Sequence, residues 1–344
     1  MSYLRLLLIP FTVIYYLLIN LKRFLYERGI IFKQYFSPVP VVCIGNIRVG
    51  GTGKSQVIIS VAEKLLEKGQ KVAVLSRGYK RKTKGFSEVS SFDSEKFGDE
   101  PVMIKKLIPD AYVFVSENRV KGIKQILSKY KLDFILLDDG LQNYSVKKDY
   151  EICLIDKTYC SKNLVERLLI PAGNLREPRS QVYNFDCIIF NNKFDDTTKT
   201  LDLREKIGEK LYWAEYRLKG FFNELGNEVL LDQIKESKNL VFCGIAQPES
   251  FKKLFLKYQI PFENFIFYPD HKKYNLEDSK RLIKFAEKFD CKFLITTNKD
   301  FVKIQKFINE FKRAGVLPIF VKITAILENY DKIINDMLCL KRKS

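Results

Sequence analysis

Hydrophobic and polar positions along the chain switch between two periods. From Pro38 onward, short β-branched runs alternate with stretches in which apolar residues recur every three to four positions, as strands and covering helices require. The runs predict strands at Val41–Ile44, Lys71–Leu75, Tyr112–Val115, Phe134–Leu137, Glu151–Ile155 and Cys187–Phe190, and a first helix from Val57 to Lys68. Such alternation is the signature of a mostly parallel sheet covered on both faces. Leu211 to Leu231 breaks the pattern: two apolar-rich runs flank Leu225-Gly226-Asn227, which predicts a β-hairpin connector. A second α/β stretch follows, with strands at Leu240–Cys243, Phe265–Phe267, Phe293–Thr296 and Ile319–Lys322, and no repeat or low-complexity segment is visible.

The first residues follow a different pattern. Leu6 to Ile19 is an apolar run interrupted by Pro10, and Lys22 and Arg23 come after it. That is short of the roughly 20 apolar residues of a membrane span. The charge follows the apolar core and no small-residue cleavage site is present, so it does not read as a signal peptide. An uncleaved helix lying in or dipping into a bilayer is expected, with a core helix as the alternative.

Composition sharpens the choice of partners. The 344-residue chain suits about two domains and carries a formal net charge of +18. A surface that basic favours nucleic acid, an anionic membrane or a phosphorylated substrate. The 59 Lys and Arg are spread along the whole chain and no nucleic-acid module is recognisable, so no nucleic-acid partner is expected. Seven cysteines, an odd number set mostly in apolar runs, read as small core residues of a reducing compartment. With no C-x-x-C and a single histidine, His271, a zinc site is not expected.

The chemistry centres on Val41 to Ser55, where an apolar run meets a glycine-rich turn and then a helical pattern. Triphosphate oxygens need converging backbone N–H groups, a lysine reaching the β/γ-phosphates and a hydroxyl for Mg²⁺. Gly50-Gly51-Thr52-Gly53-Lys54-Ser55 supplies all three, although the strict G-x-x-x-x-G-K-[ST] spacing fails because Arg48 stands where its first glycine belongs.

Ligands of doubly wound sheets bind beyond the carboxyl ends of strands, and further polar clusters fall there. Ser76-Arg77-Gly78-Tyr79 follows the second strand, and Asp138-Asp139-Gly140-Leu141-Gln142-Asn143 the fourth. A buried strand ending in two acids is costly without a cation, so Asp138 and Asp139 read as Mg²⁺ ligands. Asp99 and Glu100 open a helical pattern, where capping is as good a reading as catalysis. Arg77 and Arg119 read by default as solvated charges, whereas Arg176 lies in the turn-rich, ligand-loop-like stretch Pro171 to Pro178. Thr296-Thr297-Asn298-Lys299-Asp300 misses the guanine-reading N-K-x-D spacing, because position 301 is Phe301.

Together these residues resemble the tetraacyldisaccharide 4'-kinase family. The resemblance rests on Gly45-Asn46 with Val49 to Ser55, Ser76 to Tyr79, Gly98-Asp99-Glu100-Pro101, Asp138 to Gln142, Pro171-Ala172-Gly173 with Leu175 to Pro178, Pro269-Asp270-His271 with Tyr274, and Thr296-Thr297 with Lys299-Asp300. The family's phosphate loop departs from the strict spacing in the same way. Asn143 stands where the family commonly has histidine, and Asn298 where it has glutamate.

The resemblance implies ATP- and Mg²⁺-dependent phosphorylation of the 4'-hydroxyl of an acylated glucosamine disaccharide 1-phosphate, on the cytoplasmic face of the bacterial inner membrane. It implies a P-loop NTPase-like, doubly wound fold with a smaller α/β/α domain joined by a hairpin. The expected division is a membrane-associated segment 1–36, a nucleotide-binding domain 37–210, a linker 211–232 and a C-terminal domain 233–344. By the same resemblance Asp99 is the base with His271 as its partner. Gly50 to Ser55 bind nucleotide, and Ser55, Glu100, Asp138 and Asp139 serve the metal. Arg77, Arg119, Gln142, Asn143 and Arg176 bind substrate. The runner-up is a membrane-associated partitioning-type ATPase, a class that carries a lysine just before the paired glycines; here that position is Val49.

Overall fold

The computed structural model describes residues 5–193, 201–270 and 272–340. Among them, thirteen strands join in one sheet: β1 Val41–Asn46, β2 Val72–Ser76, β3 Ser87–Glu88, β4 Tyr112–Val115, β5 Phe134–Asp138, β6 Tyr150–Asp156, β7 Cys187–Lys193, β8 Leu211–Phe222, β9 Glu228–Val229, β10 Asn239–Cys243, β11 Asn264–Phe267, β12 Phe293–Thr297 and β13 Leu317–Leu327. The order is β11-β10-β12-β13-β8-β7-β6-β1-β5-β2-β4-β3, with β9 on β8. The β6-β1-β5-β2-β4 and β11-β10-β12-β13 neighbours are all parallel. This is the α/β architecture that the alternating periods predict.

Strand alternation separates two buried layers. Val42 and Ile44 of β1 enter one apolar cluster with Val57, Val61 and Leu65 of the helix Lys54–Glu67, whereas Val41 and Cys43 enter the other with Ile123 and Ile126 of the helix Arg119–Leu127. The β10–β12 region repeats the arrangement, with Val241 on one side and Phe242 on the other.

The junction between the two parallel regions holds the largest difference from the sequence expectation. The Leu225-Gly226-Asn227 turn does link antiparallel strands, but β9 has only two residues. The substantial partner of twelve-residue β8 is eleven-residue β13, which reaches from Leu317 to Leu327, well beyond the Ile319–Lys322 core that its apolar run marks. The helix Tyr330–Leu338 that follows β13 returns to the first region. Its Ile333, Ile334 and Met337 join the cluster of the Lys54–Glu67 helix, and the Tyr330 hydroxyl donates to Ser60 Oγ at 2.8 Å.

The N-terminal apolar run forms the helix Ile9–Glu27, with Pro10 in its first turn, where a missing N–H costs nothing. Only Thr12 and Ile19 of this helix are buried; Leu17 and Leu18 are 61 % and 59 % exposed. Among the described residues no helix is long and apolar enough to cross a membrane.

Candidate active site

The phosphate loop ends at a helix N-terminus whose cap residue brings no side chain. Gly53 caps the helix Lys54–Glu67 with φ 86° and no side-chain hydrogen bond, so the N-terminal dipole of the helix is available to an anion. Around the loop, Asn46 Nδ2 donates to Thr52 Oγ1 at 2.8 Å, Asn191 Nδ2 donates to the Thr52 carbonyl, and the Tyr216 hydroxyl lies 3.4 Å from the Gly53 carbonyl. A Cβ at Gly53 would fall 2.1 Å from Asn191 Nδ2, which leaves room for glycine alone. Ser55 stands half-buried in the first turn beside Lys54.

Behind it, the Pro171 to Pro178 loop serves as a brace. Val49 N donates to the Asn174 carbonyl at 2.8 Å and Arg176 N to the Ile47 carbonyl at 2.7 Å, while Arg48 pairs with Glu166 at 2.8 Å and Asp156 at 3.4 Å. Residue 48, the position that breaks the strict motif, is thus a structural arginine, and Gly50 with φ 111° makes the turn instead.

Asp138 and Asp139 end in opposite electrostatic states. Asp138 is buried at the tip of β5, where one carboxylate oxygen accepts from Ser76 Oγ at 2.8 Å and the other, Oδ1, has no hydrogen-bond partner. Burial, with the charges of Glu100 and Asp139 adding to it, pushes its pKa up to about 7. Asp139 follows with φ 53°, which breaks strand alternation. Its two oxygens take both Arg176 Nη groups, at 2.9 and 2.7 Å, and Lys54 Nζ stands 3.7 Å away. Burial opposes its ionisation, yet Lys54 and Arg176 outweigh that and hold Asp139 at about 2. Among the described residues no three His, Cys, Asp or Glu form a preformed metal cage. A cation here would rest on a few protein oxygens with phosphate and water completing its shell, as Mg²⁺ prefers. The orphaned Asp138 oxygen fits that role.

Residues from the far end of the sheet complete the site. Asp99 and Glu100 open the helix Asp99–Leu107, and the helix Asn298–Ile304 after β12 faces them with Lys303 Nζ 3.5 Å from Asp99 and Lys299 Nζ 3.5 Å from Glu100. The position of a Cβ on Gly51 is 3.1 Å from the Ala246 side chain, and Gln247 Nε2 donates to Asp156 at 3.1 Å. The β10–β12 region therefore reaches both the phosphate loop and the Asp99-Glu100 pair.

The remaining sequence candidates fall into different settings. Arg119 is buried, and its guanidinium donates to the carbonyls of Asp138 at 2.7 Å and Ser116 at 3.1 Å. Arg77 is exposed beyond β2. Gln142 Nε2 donates to the Asn46 carbonyl at 3.1 Å, and Asn143 accepts from Ser145 Oγ at 2.8 Å. His271 lies outside the described residues. Sequence reasoning passed over Asn191, Tyr216 and Lys303. Of these only Asn191 had a local signal, a polar Asn-Asn pair closing an apolar strand.

Comparisons with known proteins converge. A family model described as Tetraacyldisaccharide-1-P 4'-kinase matches residues 4–338. The Tetraacyldisaccharide 4'-kinase of Desulfotalea psychrophila is 31% identical over 337 residues, covering 94% of each chain, and that of Flavobacterium psychrophilum is 35% identical over 321 residues, covering 90% of each. The crystal structure of LpxK from Aquifex aeolicus in complex with ATP superposes with a TM-score of 0.79 at 29% identity, covering 98% of this chain and all of that one.

Proposed function

The chain belongs to the tetraacyldisaccharide 4'-kinase family, and on that premise we propose how its residues carry out ATP-dependent phosphorylation of the 4'-hydroxyl of a tetraacyldisaccharide 1-phosphate in lipid A biosynthesis. The observation that carries the reading is the acid pair against the phosphate loop: one carboxylate with an orphaned oxygen, the other neutralised by Lys54 and Arg176.

Gly50 to Ser55 cradle the triphosphate of ATP, and Lys54 faces the transferring phosphoryl group. Ser55 and Asp138 would hold Mg²⁺, with Glu100 and Asp139 nearby. Bound there, the ion neutralises charge on the β- and γ-phosphate oxygens. Arg176 keeps Asp139 ionised and fixed, so the acid beside Lys54 has one defined position. Arg77, exposed beyond β2, is free to reach an anionic group of the acceptor, whereas Arg119 fixes the backbone at Asp138 and Arg176 holds the Asp139 carboxylate. Asp99 accepts the proton of the 4'-hydroxyl late in transfer. His271, as its partner, orients that carboxylate.

The acceptor is an acylated disaccharide and stays in a bilayer, so the enzyme works at a membrane surface, on the cytoplasmic side where ATP is present. The exposed apolar side of Ile9–Glu27 would enter the interface, with Lys22 and the basic surface facing anionic headgroups, whereas Arg23 turns inward to Glu177. A cleft of about 390 Å³ between this helix and the 167–179 segment, lined by Val13, Tyr16, Leu168 and Leu175, suits an acyl chain. The decisive experiment is transfer of labelled γ-phosphate to a tetraacyldisaccharide 1-phosphate in mixed micelles. ATP hydrolysis without acceptor phosphorylation would refute the reading.

A further inference from the structure

Buried lysines are rare because an ammonium loses several kcal/mol of hydration on entering a protein, so each one needs counter-charges that justify its position. The Lys303 side chain is 5% exposed, and its ammonium is set between two carboxylates from different parts of the chain: Asp300 Oδ1 at 3.1 Å and Asp99 Oδ2 at 3.5 Å. The Tyr274 ring lies 5.8 Å away, a third favourable surface.

The two carboxylates are not equivalent. Asp300 is completely buried and rigidly held, accepting from Gly244 N and Thr297 Oγ1 at 2.8 Å each and from the Tyr274 hydroxyl at 3.2 Å. Asp99 is one-fifth exposed and lines a small cleft together with Lys80, Glu95, Lys273 and Lys306. Lys303 therefore has one partner that cannot move and one that faces the space where an acceptor would sit. An acid in a cleft lined by other lysines has several cations within reach; a buried ammonium fixed from behind selects one orientation.

We propose that Lys303 is a positioning residue for the phosphoryl transfer, carrying the rigidity of the buried Asp300 cluster across the cleft to the Asp99 carboxylate. The proposal rests on the reading of Asp99 as the base. Lys299, one helical turn earlier, makes the parallel contact to Glu100 and to Asp270 at 3.3 Å, so the helix Asn298–Ile304 meets both acids with an i, i+4 lysine pair.

The test compares Lys303→Met, Lys303→Met/Asp300→Asn, Asp99→Ala and Asp99→Ala/Lys303→Met in the γ-phosphate transfer assay. The Asp300→Asn companion removes the charge that the first variant would leave buried, and far-UV circular dichroism checks that each Lys303 variant is folded. Loss of orientation should lower kcat on the order of 10-fold or more. KM for ATP and acceptor should stay within about threefold, because the Lys303 side chain is 5% exposed and its ammonium is engaged by the two carboxylates. With Asp99 already alanine, Lys303→Met should cost nothing further. An inactive Asp99→Ala beside wild-type kcat in a folded Lys303 variant overturns the role of Lys303 and leaves that of Asp99. Multiplicative losses in the pair likewise overturn it, and full activity in Asp99→Ala overturns both.

Discussion

At the scale of single residues, the site separates two adjacent acids by their surroundings. In the proposed site, Lys54→Ala removes the cation assigned to the transferring phosphoryl group, together with one counter-charge of Asp139. Turnover should fall on the order of 10²-fold or more, with the fold retained. Near-wild-type kcat in that variant would contradict the nucleotide site. Asp138 makes a prediction about pH. Its folded pKa of about 7 lies above the ordinary 3.8, so the folded protein holds an extra proton between the two values and stability declines as pH rises through that window. A cation on the orphaned oxygen displaces this proton, so the stabilisation by ATP that depends on Mg²⁺ should grow from about pH 6 to about pH 8. Thermal shifts with ATP, with and without Mg²⁺, measure it. A metal effect equal at both pH values, or the same pH trend in Asp138→Asn, would contradict the assignment. Asp139 has the opposite sign. Its pKa of about 2 stabilises the protein above pH 3.8, and that contribution is lost only as pH falls toward 2.

At the scale of elements, the helix Ile9–Glu27 is held by polar anchors and not by a broad apolar face. Thr12 Oγ1 accepts from Ala172 N at 3.1 Å, the Tyr15 hydroxyl donates to the Arg176 carbonyl at 2.9 Å, and Arg23 pairs with buried Glu177, which also accepts from the Tyr144 hydroxyl at 2.5 Å. These contacts land on the loop that braces the phosphate loop. Arg23→Ala would leave the Glu177 charge buried with a neutral partner, and breaking such a pair costs about 3 kcal/mol. Chemical denaturation should show the loss, and an unchanged midpoint would mean that the pair does not secure the helix. The outward face is the side proposed to meet the membrane. Deleting residues 1–25 should lower co-flotation with anionic vesicles. Unchanged flotation would assign membrane affinity to the basic surface alone.

At the scale of the whole molecule, β8 and β13 run through the middle of the sheet, and Tyr330–Leu338 returns the chain end to the first region's core. The two parallel regions thus share backbone pairing and a buried helix. Unfolding should be one cooperative transition, with the fluorescence of Trp213 on β8 and far-UV circular dichroism changing together. Two separated transitions would make the regions independent units. Closure over substrate then has to proceed by bending within a continuous sheet or by movement of side chains such as Lys299 and Lys303.

The parallel α/β architecture, ten of the strands and the phosphate loop were legible because each has a local cause. Apolar run length encodes strands, and glycine conformational freedom with Lys54-Ser55 encodes the anion cradle. Asp138-Asp139 could be flagged because two acids ending a buried strand need a cation, a property of adjacent residues. Which acid keeps an unbonded oxygen could not be read. That depends on Arg176, 37 positions away, reaching Asp139, and on Ser76 reaching Asp138. The same limit hid Arg48 as a brace, Arg119 as a buried donor to carbonyls, and β13 as the main partner of β8. Lys303 is the clearest case. In the sequence it is one of 59 cations, and only the packing of the helix Asn298–Ile304 against Asp99–Leu107 removes its water and gives it two carboxylates. Local chemistry determines what a residue is able to do, whereas its charge state and aim depend on neighbours that only the folded chain brings within a few ångströms.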